Sequence, residues 1–193
     1  MTQILAIDPD LHSTGWALGD NASDPFAISN VGVVRIPSAL TGDDAVVAMC
    51  RQIKRELSGF HPETLIVVEG QQIYRGKTPN PMSILNLGQV AGACLTLPAH
   101  GSAVFTRPTE WKGNVPKHIC QGRALSHFGI LKLFVKMGGK DPYYGSRKDA
   151  KAKLGVLFRG AEKLNSSDWK HVGDAVALLL WAARRRGLAP KKR

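Results

Sequence analysis

Two apolar runs in this chain stop on a carboxylate. Ile4-Leu5-Ala6-Ile7 is too short for a helix and ends at Asp8-Pro9, while Thr64-Leu65-Ile66-Val67-Val68 runs into Glu69 and Gly70. Both read as buried strands. After the polar loop Pro9 to Thr14, Gly15-Trp16-Ala17-Leu18 reads as a returning strand, and Val31-Gly32-Val33-Val34-Arg35-Ile36, rich in β-branched residues, as a third. Short connections among these three favour an antiparallel meander.

Thr41-Gly42-Asp43-Asp44 is a capping-box-like start to a helix with Val46, Met49, Cys50, Ile53 and Leu57 on one face, closed by Ser58-Gly59. Strand, helix, strand then predicts a right-handed crossover that sets the Glu69 strand parallel to the Asp8 strand. Neighbouring strands would put the two ends roughly 5 Å apart, and one intervening strand about twice that; either spacing allows shared ligation. Asn80-Pro81 starts the next helix, with Asn as N-cap and Pro at the first position. That helix runs to about Leu97 and is apolar around most of its circumference, with Gly88 and Gly92 permitting close backbone approach. The sheet would cover one side, and a second subunit or the rest of the chain the other. Ala103-Val104-Phe105-Thr106 completes a five-stranded mixed sheet flanked by helices, an α/β class.

From Arg107 the pattern changes. Pro108 and Pro116 bracket a segment with Gly113 inside it, read as loop, and a helix is expected around His118 to Phe128. A basic inserted segment covers about 129–165, with Tyr143-Tyr144 among many Lys and Arg as residues that stack on bases or anchor the segment. Ser166-Ser167-Asp168 caps the last helix, which is nearly all apolar from Ala175 to Ala183, and a basic tail spans 184–193.

At 193 residues the chain has length for one domain. Cys50, Cys94 and Cys120 are odd in number and fit no metal spacing, so they read as thiols in a reducing cytoplasm. No charged leader opens the sequence, and Leu85 to Leu97 is too short for a membrane span and is interrupted by Asn86 and Gln89. The expectation is a cytoplasmic protein without a membrane. The net charge of +11 is uneven: residues 1–106 hold 6 basic against 9 acidic side chains, and residues 107–193 hold 20 against 6. A cationic half points to a polyanion, with nucleic acid the default.

Burying an ionised carboxylate without a partner costs several kcal/mol. The strand-end Asp8 and Glu69 therefore call for a cation. His171-Val172-Gly173-Asp174 opens the last helix and sets an imidazole and a carboxylate three positions apart on one face. Oxygen ligands suit Mg²⁺ or Mn²⁺, and a pair of such ions about 3.5–4 Å apart can activate water and stabilise the leaving oxygen in phosphodiester cleavage. His171 can ligate or exchange a proton. Asp168, three positions before His171, reads as an N-cap or as a further ligand.

Ile4 to Pro9 with Thr14-Gly15-Trp16-Ala17, Val67-Val68-Glu69, Leu87-Gly88-Gln89-Val90-Ala91-Gly92 and His171-Val172-Gly173-Asp174-Ala175 together resemble the RuvC family of Holliday-junction resolvases. The matches keep their order over nearly the whole chain. The resemblance implies a ribonuclease H-like fold and a homodimer that makes paired nicks in a four-way DNA junction. It further implies that Asp8, Glu69, His171 and Asp174 hold two divalent ions and that Lys112 and Lys117 contact DNA phosphates. Tyr74, Arg75 and Lys77, in the loop after Glu69, are further candidates for DNA contact, Tyr74 being the nearest aromatic residue for stacking at the junction. Asp10 stands where the family usually has glycine, and the stretch between Lys117 and His171 is longer than in the cellular enzymes, which suits a phage-type relative acting in a bacterial cell or phage-infected host. The competing readings are a flap or RNA–DNA hybrid nuclease of the same fold and a junction-binding protein that does not cut. An actin-like ATPase needs two such domains and a glycine-rich phosphate turn.

Overall fold

The computed structural model describes residues 2–22, 26–71, 80–97, 102–128 and 168–189. Five strands form one sheet: β1 (Gln3–Asp8), β2 (Ser13–Asp20), β3 (Ala27–Arg35), β4 (Leu65–Glu69) and β5 (Ala103–Thr106), in the order β3-β2-β1-β4-β5. The first three are antiparallel neighbours, and β4 pairs parallel with both β1 and β5. The expected meander and parallel return are both present, with β1 and β4 adjacent. Strands β2 and β3 extend beyond their apolar segments, because ladder pairing carries polar flanks such as Ser13 against Arg35 and Asp20 against Ala27.

Helices α1 (Gly42–Leu57) and α2 (Pro81–Leu95) lie on one face of the sheet, and α4 (Lys117–His127) and α5 (Asp168–Arg185) on the other; α3 (Pro108–Trp111) is a single turn. Side chains alternate between faces along a strand. Leu5 and Ile7 of β1, with Ile66 and Val68 of β4, pack with Val46, Met49, Ile53 and Val90 of α1 and α2. Ile4, Ala6, Leu65 and Val67 pack on the opposite side with Val172, Val176 and Leu179 of α5. The core is therefore two apolar layers separated by one sheet. Helix α5 carries an unbroken buried series from Val172 to Leu180, and a truncation such as Leu179→Ala there costs about 2–5 kcal/mol.

The helix ends depart from the sequence reading in two places and agree with it in a third. Thr41 is the N-cap of α1, but its side chain makes no capping bond, leaving Asp43 and Asp44 to favour the helix start through its dipole. Asn80 does cap α2, its Oδ1 accepting from the Met82 N–H at 3.0 Å. The segment after Arg107, read as loop, begins with the turn α3, because Glu110 Oε2 accepts from the Arg107 N–H at 3.0 Å and from Thr106 Oγ1 at 2.9 Å. Gly113, at φ +57°, then reverses the chain.

Gly88 and Gly92 serve no close approach among the described residues, where a Cβ at either would meet no atom within 4 Å outside its own helix. The same helix exposes Met82 and Leu85. The inserted segment 129–165, Tyr143 and Tyr144 within it, Ser166, Ser167 and the tail from residue 190 lie outside the described residues. Among the described residues no helix is long and apolar enough to cross a membrane.

Candidate active site

Strand parity places the first two site residues. Asp8 continues the Ile4-Ala6 face of β1, and Glu69 continues the Leu65-Val67 face of β4, so both carboxylates emerge on the α5 side. The register pairs Ile7 with Val68, so Asp8 and Glu69 stand at neighbouring strand ends. Helix α5 crosses there with His171 and Asp174 in its first turns, and His171 Nδ1 lies 3.0 Å from Asp8 Oδ2. The crossing is close enough to require glycine at position 15: a Cβ there would sit 2.4 Å from the His171 carbonyl carbon. Gly15 is the β2 partner of Asp8, so one strand pair carries the carboxylate and makes room for the helix.

Asp174 is 1% exposed, and each of its oxygens has a partner from α4: Gln121 Nε2 donates to Oδ1 at 2.8 Å, and the Lys117 ammonium pairs with Oδ2. Gln121 also donates to the Lys170 carbonyl at 3.2 Å, fastening α4 to the start of α5. Lys112 Nζ stands 4.0 Å from Glu69 Oε1. The two lysines read from sequence as DNA contacts thus face the carboxylate cluster.

The electrostatics are those of crowded acids. Burial, then repulsion from Asp8 and Asp174, pushes the Glu69 carboxyl up to about 8, against the opposing pull of Lys112 and Lys117. Burial and Asp8 likewise raise Asp174 to about 6, with Lys117 and Gln121 opposing. Burial disfavours the charged forms of His171 and Lys117. Both pKa values nevertheless rise, His171 through its hydrogen bond and charge interaction with Asp8, Lys117 chiefly through Asp174. Among the described residues no three His, Cys, Asp or Glu side chains stand at metal-ligand spacing. The donor set itself, three carboxylates and an imidazole, suits a hard divalent cation, whose charge would reverse the mutual repulsion of the acids.

A sequence model of the family described as crossover junction endodeoxyribonuclease RuvC matches residues 4–114, more than half of the chain. This chain belongs to the RuvC family. The crossover junction endodeoxyribonuclease RuvC of Xanthobacter autotrophicus is 29% identical over 191 residues, covering 99% of this chain and 95% of that protein. That of Chlorobium chlorochromatii is 26% identical over 94 residues, 49% of this chain and 46% of the relative, so that match spans just under half of the relative's length. Among solved structures, Thermus thermophilus RuvC in complex with a Holliday junction substrate superposes with a TM-score of 0.53 at 18% identity, over 98% of both chains. The fold is therefore the ribonuclease H-like one that the resemblance implied.

Two acidic residues beside the cluster have other work in this RuvC-family chain. Asp168 is the first described residue of α5, buried, with its carboxylate on the Arg35 guanidinium, where Arg35 Nε donates to Oδ1 at 2.9 Å. Asp10 Oδ1 accepts from the backbone N–H groups of His12 and Ser13 at 3.0 and 3.3 Å, shaping the β1–β2 loop. Gln121 went unnoticed in the sequence, where an isolated Gln on a short helix carries no signal. Gly15 had one, as glycine inside a strand. Tyr74, Arg75 and Lys77 lie outside the described residues.

Proposed function

We propose that this chain is a metal-dependent endonuclease that resolves four-way DNA junctions by paired, symmetric nicks. The observation that carries the reading is the convergence of Asp8, Glu69, His171 and Asp174 at one end of the sheet, with Lys112 and Lys117 against the carboxylates. Pure DNA binding gains nothing from crowding three acids where phosphate must approach. The ordered family matches and the junction-cutting names of the relatives support the substrate class.

Asp8, Glu69, His171 and Asp174 would hold two divalent ions, Mg²⁺ or Mn²⁺, which supply an activated water and a stabilised leaving oxygen. With Nδ1 of His171 committed to Asp8, Nε2 remains to ligate or to pass a proton. That hydrogen bond fixes the ring relative to β1 and couples the two residues into one positioned unit. Gln121 holds the orientation of Asp174. Lys112 and Lys117 balance the acids without metal and present positive charge to a scissile phosphate with it. Tyr74, Arg75 and Lys77 are assigned to DNA contact by their place directly after Glu69.

A substrate cut at two symmetric places suits a two-fold protein. The exposed Met82 and Leu85 of α2, with Gly88 and Gly92 open beside them, make that helix the proposed homodimer face. The function is tested by cleavage of a labelled four-way junction beside a linear duplex, a flap and an RNA–DNA hybrid, with Mg²⁺, Mn²⁺ or EDTA. Paired metal-dependent nicks confined to the junction are expected. Preferential cutting of flap or hybrid would move the chain to another nuclease class, and junction binding without cutting under either metal would leave only a binding role.

A further inference from the structure

Lys117 and Gln121 stand one helical turn apart on the same face of α4, and each takes one oxygen of the Asp174 carboxylate. The Lys117 ammonium pairs with Oδ2, and Gln121 Nε2 donates to Oδ1 at 2.8 Å. The two partners are not alike. Lys117 is half exposed on a flexible stem and is free to swing away, whereas Gln121 is 2% exposed and held at a second point, the Lys170 carbonyl at 3.2 Å. Both partners of Nε2 are acceptors, so the two hydrogens of the amide are used and its orientation is set. Lys170 adjoins His171. One buried side chain therefore references Asp174 to the backbone that carries the other ligand of α5.

The terminal torsion of an aspartate is broad and two-fold, so a carboxylate turns readily unless something holds it. Held by Gln121, Asp174 has only Oδ2 to give. That oxygen faces the other acids, because the ammonium paired with it also interacts with Asp8 and Glu69. How many oxygens a carboxylate offers decides which ion it suits: Mg²⁺ demands near-ideal octahedral geometry with short bonds, while the larger Ca²⁺ accepts both oxygens of one carboxylate. We propose that Gln121 sets the cluster's preference for Mg²⁺ over Ca²⁺: by occupying Oδ1 it restricts Asp174 to one-oxygen ligation through Oδ2. The proposal rests on the metal-dependent nuclease reading and deepens it. Gln121 is a positioning residue, which touches neither ion nor DNA and acts through Asp174.

The test is ion binding to the free protein without DNA, read as displacement of Mn²⁺ by Mg²⁺ or by Ca²⁺ in electron paramagnetic resonance. Gln121→Met keeps the length of the side chain and removes both donors. It should lower Mg²⁺ affinity about 10-fold or more, the usual effect of losing a residue that orients a ligand, and spare Ca²⁺, so that the ratio of the two affinities falls. In an Asp174→Asn background the same substitution should leave the ratio where it stands. A role confined to seating α4 on α5 would weaken both ions by one factor or neither. An unchanged ratio in folded Gln121→Met therefore overturns the proposal and leaves the metal site in place. Should Gln121→Met not fold, Gln121→Asn, which keeps the amide but is one methylene shorter, carries the same expectation. Wild-type protein that binds none of the three ions would overturn the nuclease reading and this proposal together.

Discussion

His171 Nδ1 stands 3.0 Å from Asp8 Oδ2, tying the start of the last helix to the end of the first strand. Asp8→Asn removes a negative charge from the cluster while retaining a hydrogen-bonding oxygen for the imidazole. The expected outcome is a cleavage rate lower by about three orders of magnitude, with junction affinity in EDTA equal to wild type or tighter. Single-turnover cleavage and anisotropy titration measure the two. A loss of binding instead would make Asp8 a structural carboxylate.

The crowded acids make the metal-free protein sensitive to pH, and three signs agree. Glu69, raised to about 8, and Asp174, raised to about 6, bind protons more tightly folded than unfolded. Their contribution therefore falls as pH rises from the ordinary carboxylate range through those values. His171, whose pKa is raised, contributes stability below its ordinary value and loses it as pH rises through the folded one. Each group has a limiting slope of about 1.4 kcal/mol per pH unit. In EDTA the melting temperature should drop between about pH 5 and about pH 8. Mg²⁺ should restore more of it at the upper end, and Glu69→Gln should flatten the drop. A metal-free melting temperature that climbs over this interval would contradict the arrangement.

Lys117 and a bound ion compete to balance Asp174. Lys117→Ala leaves a 1%-exposed carboxylate with Gln121 but without its ammonium. Because Lys117 is itself half exposed, solvent screening limits the cost to about 1–2 kcal/mol in EDTA, less than for a fully buried pair. Saturating Mg²⁺ should recover most of that loss, whereas junction binding should stay weaker with a shallower salt dependence. Thermal melts with and without metal, beside salt-titrated binding, separate the two effects.

What could be read in the sequence follows from what is local. An apolar run that stops on a carboxylate marks a strand end wherever it occurs, so Asp8 and Glu69 were visible, as was the pairing of His171 with Asp174 by helical spacing. The side of the sheet they share follows from period-two alternation. Gln121 and the ion pair of Lys117 with Asp174 were not visible, because they depend on how α4 seats against α5 across the inserted segment. The Arg35 partner of Asp168 was not visible for the same reason: it is 133 positions earlier, on a strand whose pattern says only that it pairs. Lys112 and Lys117 were singled out as cations, and only the fold shows that they face the acids.

Met82 and Leu85 are each more than half exposed on α2, beside glycines that leave open space. If this face joins two copies, Leu85→Arg should yield a monomer by analytical ultracentrifugation, since each copy would bring a like charge into the same buried interface. The monomer should still fold, because Leu85 contributes little to the α1–α2 core. Paired cutting should then decay into single nicks at separate times, visible as nicked rather than resolved product on a plasmid-borne junction. A Leu85→Arg protein that remains dimeric would place the interface on another surface.

Asp168 separates structure from chemistry. Its carboxylate is buried on the Arg35 guanidinium, itself partly exposed, at the junction of β3 and α5. Asp168→Asn should lower stability by about 1–3 kcal/mol, allowing for Arg35's access to solvent, and the melting temperature reports it. If the residue holds no metal, the folded fraction of this variant should keep a wild-type Mg²⁺ dependence of cleavage. A rise of tenfold or more in the Mg²⁺ concentration needed, on the order of one ligand's effect, would return Asp168 to the metal site and displace Arg35 as its partner in the working enzyme.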